Sequence, residues 1–99
     1  MGVRFIRKAR VADGKRDEAL AFAAEVSEHF TKTYGPQVTW GLEVGGDTGT
    51  LYWFADHDSL ASYESVIQAS MVNAETNKIL DQGVGLFASP AQDKLIYTM

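Results

Sequence analysis

The chain has no cysteine, only two prolines and two histidines, and no surplus of positive charge. Without cysteine there is no disulfide, no thiolate nucleophile and no iron–sulfur cluster; that usage fits a cytoplasmic protein, which sets the expected location. Nine Lys and Arg against thirteen Asp and Glu leave a net charge of -4. A general nucleic-acid binder needs a basic footprint, so that class is set aside. No apolar run approaches the ~20 residues that cross a bilayer. The opening MGVRFIRKARV is broken by arginine and lysine and lacks the core of a signal peptide. Gly2 suggests myristoylation, but Ile6 stands where Ser or Thr is required. The expectation is a soluble, unanchored chain with no membrane and no nucleic-acid partner. Its 99 residues, 45% hydrophobic and 22% charged, suit one domain over residues 1–99 with one modest core.

What is present is organised around Val38 to His57, two alternating strands joined by Gly46-Asp47-Thr48-Gly49. Glycine and Asp tolerate the turn conformations that a hairpin needs. Placing Gly45 opposite Thr50 pairs Val44 with Leu51, Leu42 with Trp53, Trp40 with Ala55 and Val38 with His57. Directly opposed residues share a sheet face, so these form one apolar face, and Thr39, Glu43, Tyr52, Phe54 and Asp56 form the other. The loop is not a phosphate loop: it lacks the Gly-Lys-Ser/Thr ending, and a strand follows it.

Upstream, Val3 to Val11 alternates, with Val3, Phe5, Ala9 and Val11 on one face interrupted by Arg7, and Arg4, Ile6, Lys8 and Arg10 on the other. Lys15 to Tyr34 carries Ala19, Phe22, Ala23, Val26, Phe30 and Thr33 at helical spacing, and Gly35-Pro36 stops it. His29 marks the edge of that stripe. After the hairpin, Asp58 is a plausible helix cap, with Leu60, Tyr63, Ile67 and Met71 as the apolar stripe. A further segment runs from Asn73 to Gln82, and the spacing is compatible with one bent helix or two. Val84, Leu86 and Phe87 belong to a loop expected to pack down. Lys94 to Met99 is a last strand, with Leu95, Tyr97 and Met99 on one face.

The order is β-α-β-β-α-β, the ferredoxin-like α+β arrangement, in which helices cover one face of a four-stranded antiparallel sheet. The covered face should be Val3, Phe5, Trp40, Leu42, Trp53, Leu95 and Tyr97. The other holds Ile6, Tyr52, Phe54 and Ile96 among Arg4, Lys8, Glu43 and Asp56, too aromatic to face water. A homodimer through the face bearing Ile6, Tyr52 and Phe54 would bury it, pairing the basic row with acidic groups across the interface.

The strand-helix start VRFIRKARVADGKRDEALAFAAEV, the hairpin VTWGLEVGGDTGTLYWFAD, the following DSLASYESV and the terminal KLIYTM together resemble the dimeric α+β barrel superfamily, and within it the NIPSNAP-like and antibiotic-biosynthesis-monooxygenase-like (ABM-like) branches. The resemblance covers nearly the whole chain and is one of pattern, with no catalytic motif to carry over. It implies a homodimeric barrel. The superfamily includes cofactor-free monooxygenases, polyketide cyclases, haem-degrading enzymes, chlorite dismutases and small proteins of unknown role, so fold alone does not select a reaction.

The chemistry-bearing residues are His29, Trp40, Trp53, His57 and Tyr63, with Phe22 beside them. Between sheet and first helix, an aromatic cavity with one or two imidazoles can bind a flat substrate and move protons. In that reading His29 and His57 are catalytic, and Trp40, Trp53, Tyr63 and Phe22 bind substrate; in the alternative, the tryptophans are core and the histidines rim. Asp56-His57-Asp58 does not make a metal site, since neighbouring strand residues point to opposite faces. A single histidine can ligate haem iron, a lesser alternative. Arg4, Lys8 and Arg10 with Tyr52 and Phe54 hint at an RNA-recognition sheet, but the acidic chain and the first strand's composition oppose it. The expected function is that of a small enzyme of the cofactor-free monooxygenase or cyclase type, with no metal and no cofactor, acting on a small aromatic substrate; the alternative is a non-catalytic dimeric domain that binds a ligand or partner.

Overall fold

The computed structural model describes residues 1–99. The elements are β1 (Gly2–Arg10), α1 (Arg16–Tyr34), β2 (Val38–Leu42), β3 (Thr50–His57), α2 (Leu60–Met71), α3 (Ala74–Asp81) and β4 (Gln92–Thr98). All strand pairs are antiparallel in the order β2-β3-β1-β4. This is the ferredoxin-like α+β fold, with a third helix in the final crossover.

That third helix answers the question over residues 58–82: there are two helices. Asn73 breaks the path, its side chain accepting from the Thr76 amide at 3.0 Å as the cap of α3. The cap of α2 is Ser59, which accepts from the Ser62 amide at 3.1 Å, and not the expected Asp58. On α2, Tyr63 and Ile67 turn inward with Val66 and Ser70, while the ends of the expected stripe, Leu60 and Met71, are exposed. The helical spacing holds, but the first and last turns leave their apolar side chains exposed. α1 ends as expected: Gly35, at φ 102°, donates its N–H to the Thr31 carbonyl.

The hairpin register differs from the expected one by two residues. Val38 faces Ala55, Trp40 faces Trp53 and Leu42 faces Leu51. A two-residue shift preserves side-chain faces, so the apolar set stays together except for Val44, which leaves the strand and is exposed. The cause is a wider turn held by Glu43. Its backbone N–H donates to Thr50 O at 2.9 Å; its carboxylate accepts from the Asp47 amide and from the Tyr52 hydroxyl, each at 2.6 Å.

Ala9, Ala19, Ala23, Leu51 and Trp53 form the buried centre, with Phe22, Val26, Leu86 and Phe87 packed on it. The alanines let α1 lie close to β3, and the Trp53 indole N–H donates to the Ala23 carbonyl at 3.4 Å. Three expected core residues are not core. Trp40 lies on edge strand β2 and stays 37% exposed; Leu95 and Tyr97, on edge strand β4, are 45% and 56% exposed. They occupy the expected sheet face, but the helices do not reach that far. On the opposite face the charges pair within the chain: Arg4 binds its cross-strand neighbour Asp56 at 2.9 Å, and Arg10 binds Asp47. Tyr52 and Phe54 stack at 5.9 Å beside them.

Gly83 gives a direct test of packing. A Cβ there would meet three Phe22 ring carbons at 2.6–3.0 Å. Gly83→Ala should therefore lower unfolding free energy in urea by about 1–3 kcal/mol through overpacking. Gly41→Ala, where a Cβ meets nothing within 4 Å, should leave stability unchanged or slightly raised.

Candidate functional site

α1, α2 and the sheet diverge away from the alanine-lined contact and border a half-open cavity of about 520 Å³, walled also by α3 and the loop that follows it. That loop is stitched to the end of β1: Ala12 N donates to Leu86 O at 2.9 Å, Ala88 N donates to Arg10 O at 2.8 Å, and Phe87 bridges Val11. Most lining residues are hydrophobic.

One end is aromatic. Phe22, Trp53 and Phe87 meet edge to face, with centroids 5.9–6.3 Å apart, a geometry favoured by the ring quadrupoles. The rest of the wall mixes rings with polar groups. Tyr63 lies between Phe5, stacked at 5.7 Å, and His57, edge on at 5.3 Å. The Arg7 guanidinium sits 5.5 Å from the Phe5 centroid and is held by Asp93 through two parallel bonds, Nε to Oδ1 at 2.7 Å and Nη2 to Oδ2 at 2.9 Å.

His57 is 7% exposed, and its Nδ1 is buried without a hydrogen-bond partner. Desolvation holds the imidazole below its usual pKa, against the opposing pull of Asp56 and Asp58, so the ring is neutral at neutral pH. Burial raises the Tyr63 phenol, Asp93 adds to the rise, and Arg7 opposes it.

Of the residues expected to form a site, His57, Trp53, Tyr63 and Phe22 line this cavity; His29 and Trp40 do not. His29 is a buried clamp between α1 and α3. Its Nε2 shares a 2.6 Å hydrogen bond with Thr76 Oγ1, which also bonds the Tyr34 hydroxyl at 2.6 Å; its Nδ1 lies 3.4 Å from Thr33 Oγ1. With both nitrogens engaged, this ring is not presented to a ligand. Arg7, outside the set of residues expected at the site, also lines the cavity and is held there by Asp93. The signal was visible in Arg7, a charge interrupting an apolar strand face, but its partner lies 86 residues away. No three His, Asp or Glu side chains converge as metal ligands, and Asp56 is drawn to Arg4 on the opposite sheet face from His57.

No protein-family model matches the sequence, and no curated protein matches it. Solved structures do. A NIPSNAP family protein from Agrobacterium tumefaciens superposes with TM-score 0.85 at 13% identity, over 99% of this chain and 86% of that one. The chain has the NIPSNAP fold. An uncharacterised NIPSNAP domain protein from Burkholderia xenovorans gives 0.83 at 12% identity, over 100% and 95% of the two chains. A provisionally named antibiotic biosynthesis monooxygenase from Nitrosomonas europaea gives 0.78 at 12%, over 99% and 90%. The NIPSNAP and ABM-like likeness expected from the strand and helix pattern is therefore present in three dimensions; at these identities it fixes architecture and leaves chemistry to the site.

The desolvated His57 makes stability depend on pH. Because its folded pKa lies below the unfolded value of about 6.5, its contribution is fully present above that value and is lost as pH falls toward the folded pKa. Urea unfolding at pH 7.5 and 5.5 should show a larger loss for the wild type than for His57→Gln. Both proteins keep His29, so the difference reports His57.

Proposed function

We propose that this cavity binds a small aromatic substrate and that the chain is an enzyme of the cofactor-free monooxygenase or cyclase type, with His57 as the proton-moving group. The observation that carries the reading is a buried, neutral imidazole on the wall of an aromatic cavity, its inner Nδ1 left without a partner. Buried polar groups are nearly always satisfied, and perturbed, desolvated titratable groups concentrate at functional sites. A neutral imidazole accepts a proton from an acidic hydroxyl or activated carbon. Nδ1 is sealed off, so Nε2 is the nitrogen assigned to that exchange. Removing a proton from an electron-rich aromatic is a first step shared by oxygenation and ring closure. Tyr63 borders the same ring and orients the substrate's oxygen; Phe22 and Trp53 hold its flat body. The name of the Nitrosomonas europaea neighbour lends support to an oxygenase.

We assign the working unit as a homodimer through the outer sheet face. Phe54 and Ile96 are substantially exposed there, Ile6 and Tyr52 lie among them, and the charges already paired within the chain leave the apolar groups as the cohesive part of the contact. The second reading, a binding domain without turnover, draws on Arg7, whose charge is already neutralised by Asp93.

Two experiments test these assignments. Incubated with small phenolic aromatics under oxygen, the wild type should turn over at least one, and His57→Gln should reduce kcat by about 10²–10⁴-fold; ligand binding with no turnover would favour the second reading. Light scattering behind a sizing column should give twice the mass of one chain, and Phe54→Glu should give the mass of one.

A further inference from the structure

Arg7, on the cavity wall cross-strand from Trp53, and its partner Asp93 set the charge that a substrate's polar group meets there. A guanidinium has five N–H donors. Asp93 takes Nε–H and one Nη2–H in a bidentate pair, which leaves Nη1 without an acceptor in the chain. Arg7 lines the cavity, beside Phe5 and the Tyr63–His57 pair. The site thus offers hydrogen-bond donors whose positive charge is already cancelled.

We infer that Asp93 is a specificity-determining residue: it holds the Arg7 guanidinium in an ion pair of zero net charge, so the cavity takes aromatic ligands bearing an uncharged oxygen acceptor and disfavours aromatic carboxylates. A ligand carboxylate on Arg7 would be the second anion on one guanidinium and would meet the Asp93 carboxylate; at side-chain exposures of 41% and 39% water screens part of that repulsion, and the remainder sets the preference. A carbonyl or ether oxygen can take the free Nη1 hydrogens without adding charge. The apolar body lies against Phe22, Trp53 and Phe87, and the oxygen points to Arg7 and Tyr63. This rests on the reading of the cavity as an aromatic binding site.

The test uses two probes of nearly one shape, 2-acetylnaphthalene and 2-naphthoate, titrated against the whole chain and followed through the Trp53 indole N–H by NMR. The ketone should bind at least about tenfold more tightly than the carboxylate. In Asp93→Asn the freed guanidinium charge should raise naphthoate affinity by about tenfold or more and change ketone affinity little. Asp93 is partly exposed on an edge strand, so the variant should fold. The wild-type ratio stands as an independent measure. Equal or tighter naphthoate binding in the wild type, or a ratio unmoved by Asp93→Asn, overturns the assignment while leaving the cavity reading intact. If neither probe perturbs Trp53, the cavity reading fails and this assignment falls with it.

Discussion

The close seating of α1 on β3 through alanine is the constraint from which the rest follows. Ala19 and Ala23 are fully buried against Leu51 and Trp53, and their small side chains bring the helix down on the sheet at that end. Larger side chains line the remainder of the interface: Phe22, Val26 and Phe30 from α1, and Tyr63, Val66 and Ile67 from α2. Those rings cannot close over the sheet as methyl groups do, and the space between becomes the cavity. The loop after α3 completes the wall because its backbone is bonded to the end of β1, so the cavity's shape is set by sheet geometry and not by the loop's own preferences.

The two histidines show how burial and satisfaction separate structure from chemistry. Both are nearly inaccessible. His29 has partners on both nitrogens, within a hydroxyl network that ties α1 to α3 through the fully buried Thr76. Such a satisfied network fixes the position of α3. His57 has no partner for Nδ1 and borders the cavity. An unsatisfied buried group costs stability, and its neighbour Tyr63 packs on the ring without compensating it.

Much of this was legible in the sequence, for physical reasons that also mark the boundary. Strand alternation sorted β1, β2 and β3 into correct faces, because face assignment survives any even shift of register. The register itself was not legible: a Gly-rich turn permits several loop lengths, and the choice is made by the Glu43 carboxylate reaching Asp47 and Tyr52. Trp40 shared a face with Trp53 as expected, yet its place on an edge strand, which alternation does not encode, leaves it outside the cavity. His29 lay at the margin of a helical stripe, and the residue that engages it, Thr76, comes from an element whose separateness depended on a single Asn73 cap. Arg7 was visible as an exception to a pattern; that it meets Asp93 depends on the pairing of the first and last strands.

Aromatic molecules entering the space between sheet and helices would give intermolecular nuclear Overhauser effects from naphthalene dissolved with the protein. Contacts are expected from the naphthalene protons to Trp53, Tyr63 and Ile67, which come from the sheet and α2 and share this cavity. Contacts confined to Tyr52 and Phe54, on the opposite sheet face, would contradict entry into it.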